Sequence, residues 1–469
     1  MTKIKFGTDG WRAIIAKEYT IDNVNRVAQA TGQWMINNNY DKAVIGHDCR
    51  FGGPMFAETT AKILGGMGIK VNLAKGFVST PMVSLGVVKT NSHLGVVITA
   101  SHNPPTYNGF KLKSNLGGPT VPKHIAEVEE LIPEKCTITP MSLEDMLEKG
   151  LLNYVDLEEI YIDHVKANFD MDLICNSGFN LAYDAMYGAG QNAVRRLFPD
   201  ATLLHCDDNP GFRGTPPEPL HRNLQELSDT IKNDANIHVG IANDGDADRI
   251  GMYDEDGNFV DSHHLLLLLL NYMHKFKKLD GKVVASFSVT NRLQQLAEKF
   301  GLPYETTKIG FKYIAEIMIE EDVIVGGEES GGLAVKGHLP ERDGVWTGLL
   351  IMEYMAKTGK SIKQLVQDVY DLVGPFSYYR DDLHIKEAQK LAIVDTCKTN
   401  PYKSFGKYEV QRLETIDGFK FFFSDDEWCM IRPSGTEPVL RVYAQAPTME
   451  AVRDILDTVQ ETMLSGVPA

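Results

Sequence analysis

A short apolar segment followed by a stiff polar turn places the strongest constraint on how this chain can fold. The segment Leu94–Ile98 (LGVVI) is rich in β-branched residues, which predicts a buried strand. Ser101 comes soon after it. Asn103 and the Pro104-Pro105 pair then prevent the strand from continuing. We therefore expect a rigid loop that holds the Ser101 hydroxyl clear of the sheet, toward a ligand.

Predicted helices and strands alternate around this loop. The periodicity predicts helices at Ile21–Met35, Phe56–Gly65 and Met82–Lys89, and strands at Lys42–Asp48 and Val71–Ala74. The same alternation occurs twice more before about residue 374. It predicts three similar α/β domains with mixed, mainly parallel sheets, in which ligands bind at the carboxyl ends of strands. Ser101 lies at such an end.

The last part of the chain has a different pattern. From Pro375 onward, predicted strands follow one another in neighbouring runs with flanking helices, which indicates a C-terminal antiparallel α+β domain. A chain of 469 residues is too long for one core, so several domains are expected. We predict four domains, at residues 1–150, 151–258, 259–374 and 375–469.

Composition limits the possible partners. A net charge of −16 argues against a nucleic acid or a membrane surface as partner. The longest leucine run, Leu265–Leu270, is far too short to span a bilayer, and the first residues have no apolar signal-peptide core. The six cysteines include no Cys-x-x-Cys pair, so we expect reduced thiols and a cytoplasmic location. The sequence leaves the oligomeric state open.

Three aspartates at alternate positions predict a metal site. Asp244, Asp246 and Asp248 follow a predicted buried strand, and their mutual repulsion is best relieved by a divalent cation. Carboxylate oxygens suit Mg²⁺. An EF-hand calcium loop is a rival interpretation, because Glu255 completes its spacing. Against that rival, Arg249 occupies the position that needs glycine, and a strand precedes the loop where a helix should.

Two further loops carry polar residues that suit a sugar phosphate. Glu328 and Ser330 follow the predicted strand Val323–Gly326 and could bind vicinal hydroxyls, although a glycine-rich hairpin explains the string equally well. Arg432 opens the string RPSGTEP, whose small hydroxyl residues and glycine suit an anion-binding nest. The alternative there is a hairpin turn with an exposed arginine.

Taken together, these strings resemble the motifs of the α-D-phosphohexomutase family, which includes phosphoglucomutase and phosphomannomutase. The similar strings are the glycine-rich start ending in Arg12, TASHNP around Ser101, DGDADR, GEES and RPSGTEP. They occur in the family's order, between residues 6 and 443. The resemblance implies three similar α/β domains and a fourth α+β domain around a central cleft, with Ser101 carrying a phosphoryl group.

The resemblance also assigns roles to residues. It implies the catalytic residues Ser101, His102, Lys111 and Arg12. It implies the substrate-binding residues Lys308, Glu328, Ser330, Arg432, Ser434, Gly435, Thr436, Arg441 and Arg249. Mg²⁺ would be held by Asp244, Asp246, Asp248 and a phosphate oxygen on Ser101. His102, Lys111 and Lys308 are the candidates for moving the hydroxyl proton, and the sequence does not choose among them.

The implied activity interconverts a hexose 1-phosphate and a hexose 6-phosphate, with glucose 1,6-bisphosphate as intermediate and activator. Glucose is favoured because Gly332 stands where relatives acting on both mannose and glucose phosphates often carry histidine. The alternatives are a phosphomannomutase or a phosphoglucosamine mutase. More remote alternatives are a phosphatase that uses Ser101 and a non-catalytic sugar-phosphate sensor.

Overall fold

The computed structural model describes residues 3–7, 9–434 and 438–466. The chain divides into two compact units. The first unit comprises Met1–Lys282 and Gly310–Leu365, and the second comprises Val283–Ile309 and Val366–Ala469. Each unit is described below by itself.

The first sheet of the first unit is mixed. Its strands are β1 Trp11–Ile14, β2 Lys42–His47, β3 Lys70–Ala74, β4 Leu94–Ile98, β5 Tyr107–Ser114 and β6 Leu152–Val155, in the order β1-β5-β4-β2-β3-β6. Its helices are α1 Ile21–Asn37, α2 Gly53–Gly66, α3 Thr80–Lys89, α4 Pro122–Glu130 and α5 Leu143–Glu148. Strands β2, β3, β4 and β6 are parallel, whereas β1 and β5 are antiparallel to their neighbours.

This sheet differs from the prediction at two places. The Asn-Pro-Pro turn ends β4 as expected, but the chain then returns as β5, which pairs antiparallel with β4 and carries Lys111 on a strand. Strand β6 pairs with β3, so the sheet extends past the predicted boundary at residue 150. Parallel pairing needs a long connection, and the helix-rich segment before β6 provides it. The four domain boundaries stay a prediction.

The second sheet of the first unit is also mixed. Its strands are β7 Leu181–Asp184, β8 Thr202–Leu204, β9 Val239–Asn243, β10 Ile250–Tyr253 and β11 Phe259–Val260, in the order β11-β10-β9-β7-β8. Its helices are α6 Leu157–Asn168, α7 Met171–Cys175, α8 Gln191–Leu197 and α9 Gln225–Asn233, with short 3₁₀ turns at Phe212–Gly214 and His221–Asn223. The DGDADR string is the loop of the antiparallel β9–β10 hairpin.

The third α/β region contributes elements to both units. In chain order these are α10 Ser262–Asn271, a π-helical turn Tyr272–Phe276, β12 Lys282–Ser286, α11 Asn291–Lys299, β13 Tyr304–Thr307, α12 Phe311–Glu320, β14 Val323–Gly327, β15 Leu333–Val335, α13 Gly344–Thr358 and α14 Ile362–Val373. In the first unit β14 pairs antiparallel with β15, and in the second β12 pairs parallel with β13. The leucine run of α10 is fully buried.

The C-terminal part of the second unit is an antiparallel α+β fold. Its elements are β16 Ser377–His384, α15 Glu387–Thr399, β17 Ser404–Phe405, β18 Tyr408–Glu409, β19 Arg412–Glu414, β20 Phe419–Phe422, β21 Trp428–Pro433, β22 Val439–Ala446 and α16 Met449–Ser465. The main sheet has the order β16-β22-β21-β20-β19. Every pair in it is antiparallel. The predicted class, mixed α/β sheets followed by an antiparallel α+β domain, is confirmed.

Two expectations from composition can be checked against the fold. Among the described residues, no helix combines the length and the apolar character that crossing a bilayer requires. All six cysteines are free thiols.

Candidate active site

Ser101 lies directly after β4 and faces the metal-site loop. Its side chain is buried, with the residue 1% exposed, and its backbone has the left-handed φ of 54°. The Oγ atom donates a hydrogen bond to Asp244 Oδ2 at 2.7 Å. His102 Nδ1 lies 3.2 Å from the same Oγ atom. Burial, assisted by the charge of Arg249, lowers the pKa of His102 well below its ordinary value, so this imidazole is neutral.

The three predicted metal ligands converge in one buried cluster. Oxygen atoms of Asp244, Asp246 and Asp248 lie within 4.8 Å of one another. Burial, reinforced by the two neighbouring carboxylates, raises the pKa of Asp244 well above its usual value. Burial acts the same way on Asp246, but the Lys111 ammonium outweighs it and holds the pKa of Asp246 below its usual range. Thr80 Oγ1 also donates to Asp246, at 2.5 Å. Lys111 and Thr80 therefore offset the carboxylate repulsion at Asp246, whereas the raised pKa of Asp244 reflects the crowding of the three carboxylates.

The cluster fits a hard divalent cation. Asp246 Oδ1 and Asp248 Oδ1 are buried, and neither has a hydrogen-bond partner in the part of the chain that the structure describes. Buried carboxylate oxygens without partners are costly, and coordination to Mg²⁺ would satisfy them. The EF-hand interpretation does not apply, because strands β9 and β10 flank the loop. The Glu255 carboxylate accepts a hydrogen bond from Ser361 Oγ instead, at 2.5 Å.

Lys111 is the cationic centre of the site. Its Nζ atom lies 2.7 Å from Asp246 Oδ2, 3.1 Å from Asp248 Oδ2 and 2.8 Å from Asp9 Oδ2. Burial would lower the pKa of Lys111, but the carboxylates outweigh it and raise that pKa above the ordinary value. Lys111 is therefore a permanent ammonium in this arrangement, suited to neutralising charge and unsuited to acting as a base.

Sequence reasoning missed Arg342, which connects three loops. Its Nη2 atom donates to Asp9 Oδ2 at 2.5 Å and to Asp248 Oδ2 at 2.6 Å, and its Nη1 atom lies 4.0 Å from Glu328 Oε2. A Cβ atom at Gly332 would lie 2.4 Å from Arg342 Cδ. Glycine is thus needed at position 332 because the arginine stem fills the space. A signal was present in the sequence, since a charged ERD run stands directly before the apolar helix α13.

Two more predicted arginines lie near the Ser101 loop. Arg12 Nη1 donates to Asn103 Oδ1 at 2.6 Å. Burial lowers the pKa of Arg12, and the nearby charge of Arg249 lowers it further. The Arg249 backbone N–H donates to Asp244 Oδ1 at 3.0 Å, and its Nη1 atom lies 3.6 Å from Glu218 Oε1. Arg249 Nε is buried and has no hydrogen-bond partner among the described residues, so this guanidinium could donate to an anionic ligand.

The predicted sugar loop follows β14. Glu328 is only 5% exposed, and burial raises its pKa to about 7. Its backbone N–H donates to Gly332 O at 3.1 Å, which closes the turn. Ser330 is half-buried in that turn. Gly331 has a φ of 91°, and a Cβ atom there would lie 2.6 Å from Ile250 O, so this turn requires glycine.

In the second unit, one carboxylate engages the predicted phosphate-binding arginine. Asp417 Oδ2 accepts from Arg432 Nη2 at 3.2 Å and from the Ile309 backbone N–H at 3.0 Å. Lys308, another predicted ligand, is the residue before Ile309. The Asp417 carboxylate thus contacts both the predicted phosphate-binding arginine and the backbone N–H that follows Lys308.

The other predicted phosphate ligands lie on the same sheet or beside it. Arg441 on β22 stands directly opposite Arg432 on β21, and its Nε atom lies 3.9 Å from Asp382 Oδ1. Ser434 is buried at the end of β21. Gly435 and Thr436 lie outside the described residues.

Comparison with known proteins agrees with this geometry. Four family models described as Phosphoglucomutase/phosphomannomutase match in order: alpha/beta/alpha domain I at residues 3–137, domain II at 159–257, domain III at 261–373 and the C-terminal domain at 384–462. The chain therefore belongs to the phosphoglucomutase/phosphomannomutase family of α-D-phosphohexomutases, a class of isomerases.

Individual relatives match over almost the whole chain. A probable phosphoglucosamine mutase from Methanosphaera stadtmanae is 31% identical, covering 96% of both chains. A phosphoglucomutase/phosphomannomutase from Thermococcus kodakarensis is 28% identical, again covering 96% of both. The solved structure of a candidate phosphomannomutase from Thermus thermophilus has a TM-score of 0.87 at 32% identity, covering 98% of this chain and 99% of that one.

Proposed function

We propose that this protein moves a phosphoryl group between the C1 and C6 oxygens of a hexose, with Ser101 as the covalent carrier. The observation that carries the proposal is the 2.7 Å contact of Ser101 Oγ with Asp244, inside the three-aspartate cluster and close to the Lys111 ammonium. Phosphoryl transfer depends on positioning and charge neutralisation, and this arrangement suits both.

The proposed reaction has two half-steps. The bond between phosphorus and Ser101 Oγ breaks as a new bond forms between phosphorus and the free sugar hydroxyl. The hydroxyl proton passes to a base, and Oγ regains a proton. The resulting hexose 1,6-bisphosphate then returns its other phosphoryl group to Ser101. His102 is proposed to exchange the proton of Ser101 Oγ, because its imidazole is neutral and its Nδ1 atom lies 3.2 Å from Oγ. Lys308 is the remaining candidate for the base at the sugar hydroxyl, since Lys111 stays an ammonium.

The cationic groups of the first unit would stabilise the transferring group. Asp244, Asp246 and Asp248 would hold Mg²⁺, which when bound supplies positive charge to the phosphoryl oxygens. Arg12 and Arg249 are proposed to donate hydrogen bonds to the same phosphoryl group. The contact of Arg12 with the Ser101 loop and the partnerless Nε of Arg249 among the described residues support this role.

The second unit is proposed to bind the phosphate that does not react. The opposed pair Arg432 and Arg441 supports this role, because the Nε atom of each is buried without a hydrogen-bond partner among the described residues and could donate to an anion. Lys308 and Ser434 are proposed as further ligands.

The identity of the sugar is the finer part of the proposal. Glucose was expected from Gly332, but the close approach of the Arg342 stem gives a packing reason for that glycine, so we do not base the choice of sugar on it. The names of the relatives support the alternatives better. We place glucosamine phosphate first and mannose phosphate second. The buried Glu328 carboxyl supports an amino sugar, since a cationic amino group would restore its ionised form.

Side-by-side kinetics would test the proposal. The purified protein, with Mg²⁺ and a trace of the matching 1,6-bisphosphate, would be assayed on glucosamine, mannose and glucose 1-phosphates. We expect 6-phosphate formation, the highest kcat/KM for glucosamine, and little inorganic phosphate. Predominant release of inorganic phosphate would indicate a phosphatase instead. Binding of all three sugars without turnover would indicate a sensor.

A further inference from the structure

Arg50 makes an unusual set of contacts that the reaction described so far does not use. Its side chain is 0% exposed. The guanidinium group donates four hydrogen bonds, and all four go to backbone carbonyl oxygens of the loop that carries Ser101. Nη2 reaches Ser101 O and Asn103 O, each at 2.6 Å. Nη1 reaches Pro104 O at 2.9 Å and Tyr107 O at 3.2 Å.

The other side of the Ser101 peptide is held by the same group of residues. The Ser101 backbone N–H donates to Thr99 Oγ1 at 2.9 Å, and Thr99 Oγ1 donates to Asp48 Oδ2 at 2.5 Å. Asp48 Oδ2 lies 3.4 Å from Arg50 Nε, and Asp48 Oδ1 accepts from the Arg50 backbone N–H at 2.9 Å. Ser101, Thr99, Asp48 and Arg50 therefore form a closed polar circuit, which we call the Ser101 ring.

The ring accounts for the backbone conformation of the serine. A non-glycine residue at positive φ costs about 1–3 kcal/mol and persists only when its surroundings fix it. Ser101, with its φ of 54°, has both its N–H and its C=O bonded within the ring. A lysine at position 50 could not replace the arginine, because one ammonium cannot present the planar fork that reaches four carbonyls.

The ring also leaves the reacting atom free. Every ring contact of Ser101 uses its backbone, while Oγ bonds to Asp244 outside the ring. Addition or removal of a phosphoryl group on Oγ therefore breaks no ring contact. The same backbone geometry can serve the hydroxyl form and the phosphoryl form of the serine.

We propose that Arg50 is a positioning residue for phosphoryl transfer, which acts through the Ser101 ring to hold the serine at one place in both of its covalent states. The inference rests on the proposed function of Ser101. A small displacement of a reacting group lowers the rate of the chemical step strongly. The residues proposed to bind the sugar phosphate lie on other loops, so substrate binding should be little affected. Loss of the ring should therefore lower kcat and leave KM nearly unchanged.

The test uses the whole protein with Arg50→Lys and Thr99→Val, together with Thr99→Ser as the conservative variant. Arg26→Lys is the matched control, because Arg26 Nε also donates to a backbone carbonyl, Pro133 O at 2.7 Å, away from the Ser101 loop. For each variant, kcat, KM, the thermal midpoint and the rate of Ser101 phosphorylation by hexose 1,6-bisphosphate would be measured. Rates would be normalised to the fraction of protein that can be phosphorylated.

We expect Arg50→Lys to lower kcat and the phosphorylation rate by about a hundredfold, with KM within about threefold of wild type. Thr99→Val should lower kcat in the same way, Thr99→Ser should restore it, and Arg26→Lys should match wild type. Unimpaired normalised kcat in both Arg50→Lys and Thr99→Val would overturn the proposal, and so would parallel changes in KM. If Arg50→Lys does not fold, the two Thr99 variants decide alone. A wild-type protein without phosphotransfer would instead overturn the proposed function.

Discussion

Ser101 Oγ donates its hydrogen bond to Asp244 Oδ2 at 2.7 Å, and phosphorylation of the serine removes the proton on which this bond depends. The Asp244 carboxylate then loses a donor and gains a neighbouring phosphate. A cation is the natural bridge between two such anions. We therefore expect the phosphorylated protein to bind Mg²⁺ more tightly than the unphosphorylated protein, which isothermal calorimetry on the two forms can measure.

Ser101→Ala should abolish turnover and leave the fold intact. The substitution removes the phosphoryl acceptor and one buried hydrogen bond, worth about 1 kcal/mol. Intact-protein mass spectrometry should detect a phosphoryl adduct on wild type that is absent from the variant. Ser177→Ala, on a loop of the same unit, should behave as wild type. An active Ser101→Ala enzyme would contradict the covalent mechanism.

Asp246→Asn should weaken Mg²⁺ binding by more than about tenfold. Loss of a residue that only hydrogen-bonds to a metal ligand commonly lowers metal affinity about tenfold, and Asp246 is a proposed direct ligand. Mutase activity should fall as the Mg²⁺ affinity falls, and it should recover only in part at high Mg²⁺ concentration. Titration of activity against Mg²⁺ after chelation measures the effect. Asp163→Asn, at an exposed position of α6, is the control. Full activity of Asp246→Asn in the presence of excess chelator would refute the metal site.

The raised pKa of Glu328 predicts a pH-dependent stability. The ordinary value is 4.5 and burial raises it to about 7, so between these values the folded protein binds the proton and the unfolded chain does not. The stabilising contribution of Glu328 to the free energy of unfolding is therefore fully present below pH 4.5. It is lost as the pH rises through about 7, because the buried carboxyl then has to ionise. Glu328→Gln should match wild type in thermal midpoint at low pH and exceed it at neutral pH. Glu148→Gln, at an exposed position of α5, is the control. A thermal midpoint of Glu328→Gln that differs from wild type by the same amount at every pH would contradict the prediction.

Lys420 in the second unit should show the opposite pH dependence. Burial lowers its pKa from 10.5 to about 7, so the folded protein binds fewer protons than the unfolded chain between these values. The buried ammonium lowers the free energy of unfolding by its full amount below pH 7. This destabilisation decreases as the pH rises toward 10.5. Lys420→Met should therefore raise the thermal midpoint of the protein most at low pH. Lys403→Met, at an exposed position, is the control.

Trp428 provides an independent readout of this lysine. Lys420 Nζ lies 3.8 Å from the centre of the Trp428 ring, close enough for its charge to affect the indole. Wild-type tryptophan emission should titrate with a midpoint at about 7, and Lys420→Met should lack that transition. Identical titration curves for the two proteins would show that the ammonium does not lose its proton there.

Arg432→Ala should raise KM for the sugar phosphate by about ten- to a hundredfold, because a hydrogen bond from a charged group contributes about 1.5–3 kcal/mol. Asp417→Asn should lower KM, since the arginine loses its carboxylate partner at 3.2 Å and becomes free for phosphate. Arg412→Ala, at an exposed arginine of β19 on the same sheet, is the control. Unchanged KM in Arg432→Ala would remove this arginine from the phosphate site.

The sequence predicted the elements that local chemistry determines. The strand before Ser101 was predicted because five apolar residues end at an Asn-Pro-Pro turn, and the three aspartates because alternating carboxylates need a cation. Strand β5 was not predicted, since its polar residues acquire strand geometry only by pairing with β4.

Arg50 and Arg342 were missed for a related reason. Arg50 follows β2 and bonds to carbonyls more than fifty positions later, and Arg342 bonds to Asp9 across most of the chain. Partners so distant in sequence leave no local periodicity or spacing to detect. The roles of the predicted site residues likewise stay predictions until the variants above are measured.

The contact between Gly332 and Arg342 has an evolutionary consequence. A Cβ atom at position 332 would lie 2.4 Å from the arginine stem, so any other residue there requires the arginine to move or to change. The arginine in turn binds Asp9 and Asp248, which limits how it can move. Position 332 can therefore accept a larger side chain only together with a change at Arg342. A library that varies position 332 alone should return glycine, whereas one that varies positions 332 and 342 together should recover larger residues in active enzymes.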